Sequence, residues 1–122
     1  MELEYNYENY TWDHVHTNLR IKSNGDVYYN NLITGDKRKI CKLTDKTTND
    51  LFSNASQINN EPYLVNNGRA FDLGEGNFYL IKSNKKILLH SDGNHQLQST
   101  NQNVIYVVSL FKRIINVVNK HI

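Results

Sequence analysis

The sequence predicts an α+β fold, an antiparallel sheet of about five or six strands with two helices on one face. Three observations predict it. Ile21-Lys22-Ser23-Asn24 recurs as Ile81-Lys82-Ser83-Asn84, and each copy joins two short runs of alternating apolar and polar residues. Each such hairpin is followed by an apolar stripe at helical spacing, so the order strands-then-helix occurs twice. At 122 residues and 14.2 kDa the chain has the size of one domain.

In the first copy, Leu19 and Ile21 alternate with Asn18, Arg20 and Lys22, and Val27 and Tyr29 alternate with Asp26 and Tyr28. A three-residue Ser23-Asn24-Gly25 loop pairs Ile21 with Val27 and Leu19 with Tyr29 and keeps the apolar face whole; a two-residue loop does not. After a turn at 30–36, Lys37-Arg38-Lys39-Ile40-Cys41-Lys42-Leu43 reads as a third, strongly basic strand. Thr44 then caps a helix with Asp45 in its first turn and Leu51, Phe52, Ala55 and Ile58 on one face, ended by Asn59-Asn60-Glu61-Pro62.

The second copy begins with turns at Asn66-Asn67-Gly68 and Gly74-Glu75-Gly76 around a short strand at 69–73. A hairpin follows, with strands at 78–81 and 86–89; the same three-residue loop pairs Ile81 with Ile87 and Tyr79 with Leu89. Lys85 stands where Gly25 stood, in a left-handed position costly for a residue with a Cβ, so the two turns are expected to differ. Beyond Thr100, Val104, Val107, Val108, Phe111, Ile114, Ile115 and Val118 form a broad helical face. At the sixty-residue offset set by Ile21 and Ile81, Leu51 falls on Phe111, Ala55 on Ile115 and Ile58 on Val118, whereas the basic strand falls on 97–102, which reads as loop. An internal pseudo-repeat is one reading of the match; chance in a chain rich in Asn, Lys and Ile is the other.

The domain plan is therefore a single unit over 1–122: an acidic, aromatic N-terminal arm at 1–13, a first strands-helix unit at 14–60 and a second at 61–122. Net charge is +2, while Glu2, Glu4, Glu8 and Asp13 carry −4, so the remainder carries about +6. Tyr5, Tyr7, Tyr10 and Trp12 stand between those acids, a composition unlike a disordered tail.

The single Cys41 forms no internal disulfide, and the start of the chain has no basic-then-apolar leader pattern, so the expected setting is the reducing cytoplasm of a bacterium or host cell. No run reaches the length of a membrane span. Asn fills about one position in six while Ala and Pro are scarce, which is the residue usage of an AT-rich genome, that of a low-GC bacterium, its phages or an AT-rich virus, and with the small size it suggests a virus, phage or mobile element.

No paired carboxylates, Ser/His/Asp order or nucleotide fingerprint is recognisable, so the expectation is no enzyme, no catalytic residue and no cofactor. His14 and His16 share a strand face, and His90, Asp92 and His95 lie close in sequence, but ligand spacing for a metal is lacking and none is expected. Cys41 reads as a small buried hydrophobe. Gly68, Gly74 and Gly76 match no phosphate or calcium loop and read as turn residues.

The leading functional expectation is a protein–protein interaction module, a small inhibitor or accessory protein acting as a homodimer or on a protein partner. It rests on surplus apolar surface. With Leu80 and Leu88 paired opposite Tyr79, Ile81, Ile87 and Leu89, both faces of the second hairpin are apolar, and Tyr106, Leu110 and Val117 lie outside the main helical stripe. Leu80, Leu88, Tyr106 and Leu110 are the expected interface, with Tyr5, Tyr7, Tyr10 and Trp12 as an arm packing on the molecule or its neighbour. The first alternative is a nucleic-acid or anion binder using Lys37, Arg38, Lys39 and Lys42, with Lys46, Lys85 and Lys86 as further phosphate contacts and Tyr28 and Tyr79 stacking on bases if they face outward. A protein sequestering a small molecule or nucleotide is the second.

Overall fold

A computed structural model describes residues 1–10, 14–68 and 74–122. The element order is β1 (Glu2–Asn9), β2 (Val15–Lys22), β3 (Asp26–Asn31), β4 (Lys37–Lys42), α1 (Asp45–Ala55), β5 (Leu64–Asn66), β6 (Glu75–Lys82), β7 (Lys85–Gly93), β8 (Leu97–Ser99) and α2 (Gln102–Val118). All pairings are antiparallel, in the order β4-β3-β2-β1-β6-β7-β8-β5. The α+β class and the two helices are as expected, but among the described residues the sheet has eight strands rather than five or six.

Two causes account for the difference. The segment expected as an arm is a central strand: β1 pairs along its length with β2, from Glu2↔Lys22 to Asn9↔Val15, and on its other edge with β6. Its sequence has the period of a strand, with Leu3, Tyr5 and Tyr7 on one face and Glu2, Glu4, Asn6 and Glu8 on the other. Strands β5 and β8 are three residues each, too short to show an alternation, and β8 forms where 97–102 read as loop. Glu75 and Gly76 lie inside β6 rather than in a turn. The strand expected at 69–73 is outside the described residues.

The first hairpin has the expected register, Ile21↔Val27 and Leu19↔Tyr29. Gly25 closes it at φ +95°, donating its N–H to the Lys22 carbonyl at 2.9 Å. A Cβ there would come within 2.7 Å of Thr48 Oγ1, so α1 can approach the turn only over a glycine.

The second hairpin departs from the expected register. Its turn has two residues, Ser83 (φ 52°) and Asn84 (φ 62°), and pairs Lys82 with Lys85, Ile81 with Lys86 and Leu80 with Ile87. Two successive left-handed residues make a type I′ turn, which suits the sheet's twist and relieves Lys85 of the glycine position. A bulge then sets Tyr79 against Leu88 and Phe78 against His90, leaving Leu89 as the extra residue. Leu80 and Ile87 consequently share the core face, while Tyr79 and Leu88 share the opposite one.

Thr44 caps α1, its Oγ1 accepting the Thr47 N–H at 3.2 Å, and Asn101 caps α2, its Oδ1 accepting the N–H groups of Asn103 and Val104. The far end of α1 is held by a residue of the second hairpin: Lys82 Nζ donates to the carbonyls of Ser56 and Ile58 and to Asn59 Oδ1. Both helices lie on one face of the sheet and touch each other. The core joins Leu51, Phe52 and Ala55 of α1 and the seven-residue stripe of α2 to Leu3, Leu19, Ile21, Val27, Phe78, Leu80, Ile87 and Leu89 of the sheet. Leu80 is fully buried there, so this residue of the expected interface is covered by the chain's own helices.

Candidate functional site

The sheet face away from the helices is built from cross-strand rows, because directly paired residues project to the same side. One row runs Lys39, Tyr28, Arg20, Glu4, Tyr79, Leu88 through β4, β3, β2, β1, β6 and β7. The next runs Lys37, Asn30, Asn18, Asn6, Asn77, Ser91 through the same strands. Four asparagines thus stand side by side on four adjacent strands, parallel to a row that carries two tyrosines. On the other side of the tyrosine row lie Lys22, Glu2, Ile81 and Lys86.

The centre of this face is an ion network. Glu4, 1% exposed, receives Arg20 Nη2 at 2.9 Å and Nε at 3.1 Å on Oε1, and Lys86 Nζ at 2.7 Å on Oε2. Burial alone would push the Glu4 carboxyl up; hydrogen bonds from Lys86 and Asn18 and the charges of Lys86 and Arg20 outweigh it and hold the group below its ordinary value. Glu2 pairs with Lys22 and approaches Arg20, and Asp26 pairs with Lys39 at 2.9 Å. Lys86 also lies 4.4 Å from the centre of the Tyr79 ring.

A groove of about 650 Å³ follows these rows, lined among others by Asn6, Asn18, Asn30, Tyr28, Arg20 and Lys37. Its wall holds five cationic residues, Arg20, Lys22, Lys37, Arg38 and Lys86, and the buried Glu4; Lys22 is paired with Glu2 and Arg38 with Asp36 beside the wall, so five cations meet three carboxylates. The chain's modest net charge is therefore unevenly distributed in space as well as in sequence.

Of the basic residues expected to bind anions, Lys37, Lys39 and Lys42 project from this face by register. Arg38 points its guanidinium at Tyr29, 5.7 Å from the ring centre, and Tyr29 packs against the core. Lys86, expected as a phosphate contact, lines the groove, whereas Arg20, Lys22 and the asparagine row carry no such signal in the sequence. Period-two spacing of Asn18, Arg20 and Lys22 marks them as sharing a face, but their meeting with Asn6, Glu4 and Lys86 depends on pairings that no local signal gives.

The residues expected at a protein interface are dispersed. Leu88 is half-buried on the open face, and Tyr5 is inside, its ring centre 4.6 Å from that of Phe78 and its hydroxyl pushed up to about 12 by burial. Tyr7 is half-buried, while Tyr10 is exposed and donates its hydroxyl to Glu8. Trp12 lies outside the described residues. Tyr106 is exposed on α2, and Leu110 packs partly against the core.

Cys41 sits opposite Val27 on the core side, where burial raises its thiol. His16 contacts Asn6 and Glu8. His90 and Asp92 meet Lys112 of α2 rather than His95, which bonds Glu75. Among the described residues no three His, Cys, Asp or Glu side chains converge in a way that could hold a metal ion, and no helix is long and apolar enough to cross a membrane.

The chain matches no protein-family model and no curated protein.

Proposed function

We propose that this chain is a non-enzymatic binding protein that holds an extended anionic ligand along the open face of its sheet. The observation that carries the reading is the groove wall, whose five cations meet three carboxylates, Glu4, Glu2 and Asp36, and so keep an excess of two positive charges. The ion network fixes Arg20 and Lys86 in place, so part of the ordering cost of binding is met on folding. Lys37, at 37–42 the start of the edge strand, and Lys22 extend the positive surface along the groove. The test is a titration with a labelled polyanion such as polyphosphate: affinity is expected to fall by orders of magnitude between about 50 and 200 mM salt. Absence of binding at low salt overturns the reading.

One observation favours a second reading, self-association of two copies through α2. Ile105, Tyr106 and Val117 are 41%, 39% and 59% exposed on its outer side, where a monomer gains nothing from apolar residues. Light scattering at micromolar concentration tests it.

Both readings accommodate an architecture made of two copies of one unit. β2-β3-β4-α1 and β6-β7-β8-α2 carry the same order on either side of β1, and this supports the pseudo-repeat inferred from the recurring Ile-Lys-Ser-Asn turns.

A further inference from the structure

We infer that the ligand of the open face is a single-stranded nucleic acid, laid across the strands along the tyrosine and asparagine rows. This rests on the anion-binding reading and narrows it. Three features of the face act together, and only one of them is charge.

The first is a stacking surface. Tyr28 is 37% exposed, lines the groove and stands beside Arg20 on the neighbouring strand. A base laid on its ring gains dispersion and excludes water. Tyr79 lies in the same row beyond Arg20 and Glu4, three strand spacings or about 14 Å away, so the row spans several nucleotides. Its ring is shared with the Lys86 ammonium, which makes Tyr28 the main platform and the Tyr79–Lys86 pair a mixed phosphate and base contact.

The second is the asparagine row. A carboxamide carries a carbonyl acceptor and two N–H donors in one plane, the complement of a base edge; Asn18 gives one donor to Glu4, Asn6 Oδ1 meets His16 and Asn77 Oδ1 accepts from Ser91, and what remains of each set, with Asn30, faces the ligand. Asn30, Asn18 and Asn6 line the groove at the spacing of adjacent strands, beside the row that holds Tyr28. A polyphosphate or sulfated polymer presents acceptors only and leaves half of these groups unused. In a duplex the edges face inward and the rings are stacked already, and among the described residues this face projects no helix or ribbon that could enter a groove.

The third is the placement of charge. Lys37 closes the asparagine row, Lys22 and Lys86 flank the tyrosine row from the other side, and Arg20 lies between. Phosphates can follow the margin of Lys22 and Lys86, where Glu2 pairs with Lys22, while the bases lie on the interior of the face; the margin beyond the asparagine row carries Glu8, His16 and Glu75 and suits no phosphate.

The test uses the full chain and fluorescence anisotropy with labelled single-stranded DNA and RNA of about twelve nucleotides, the matching duplex, and polyphosphate. At least one of the two single strands is expected to bind about tenfold more tightly than the duplex. Tyr28→Ala is expected to weaken that single-strand binding about tenfold while leaving polyphosphate binding unchanged, and Tyr28→Phe to restore it. Lys37→Ala should weaken both ligands and reduce the slope of log affinity against log salt by about 0.7. Circular dichroism of each variant separates these effects from unfolding. If the duplex or polyphosphate binds as well as the single strands, or Tyr28→Ala changes nothing, the nucleic-acid inference fails and anion binding stands. If no polyanion binds, both fail.

Discussion

Arg20 grips Glu4 across the β1–β2 ladder through two nitrogens on one carboxylate oxygen, at 2.9 and 3.1 Å, while Lys86 reaches the other oxygen from β7. The carboxylate is almost wholly buried, whereas both cations keep access to water. Arg20→Met leaves that buried charge with Lys86 as its one cationic partner, beside Asn18, and is expected to cost about 3 kcal/mol in urea unfolding. Glu4→Gln, which removes the charge with the shape retained, is expected to cost less. An equal or greater loss from Glu4→Gln would show that the pair is held by packing, not by charge.

The same carboxyl gives the sheet a response to acid. Its folded value lies below the ordinary 4.5, so the contribution is complete above about pH 4.5 and is lost as pH falls through the folded value. His90 acts in a higher window. Burial, with Lys112 beside it, lowers its value below 6.5 despite the pull of Asp92, so the unfolded chain takes up a proton that the folded chain refuses. Stability is expected to be full above about pH 6.5 and to decline as pH falls toward the folded value. The difference in melting temperature between about pH 7.5 and pH 5 is expected to shrink in His90→Gln; an unchanged difference would assign the response elsewhere.

The two hairpin turns predict opposite responses to glycine chemistry. Gly25→Ala forces a Cβ against Thr48 in a left-handed backbone and is expected to cost about 2 kcal/mol. Ser83→Asn with Asn84→Gly supplies the residues a type I′ turn prefers and is expected to add about 1 kcal/mol. Chemical denaturation of both variants checks the signs.

Leu80 and Leu88 separate core from surface. Leu80→Ala is expected to cost about 3 kcal/mol by opening a cavity, with no change in sedimentation. Leu88→Lys, on the open face, is expected to fold with little loss. Val117→Lys is the variant that should dissociate a dimer held through α2, read by light scattering.

Much of this fold was legible wherever a signal was local. The Gly25 turn fixed one hairpin, Thr44 and its followers one helix, and the valine and isoleucine stripe the other. The second turn differs from the expected one because Ser83 adopts a left-handed backbone that serine does not announce, although Asn84 is of a type that tolerates it, and the one-residue change in loop length puts Leu80 in the interior rather than on a surface. β1 was recognised as ordered but not as central, since a strand bearing Glu4 can be buried only with counter-ions from β2 and β7. The candidate site was half legible for the same reason. Lys37, Lys39 and Lys42 stand out as a run and Lys86 as a cation of the second hairpin, while Arg20 and the asparagines acquire meaning only through register.

The central position of β1 also sets a timetable. Leu3 can pair with Ile21 soon after both are synthesised, yet its other neighbour, Leu80, arrives only after α1 and β5 have been made. Until then the β1 edge is an unpaired row of backbone donors and acceptors, open to any extended segment nearby. Joining the halves is therefore the slow, nonlocal step of folding, and the nascent N-terminal half is the species most in need of a chaperone.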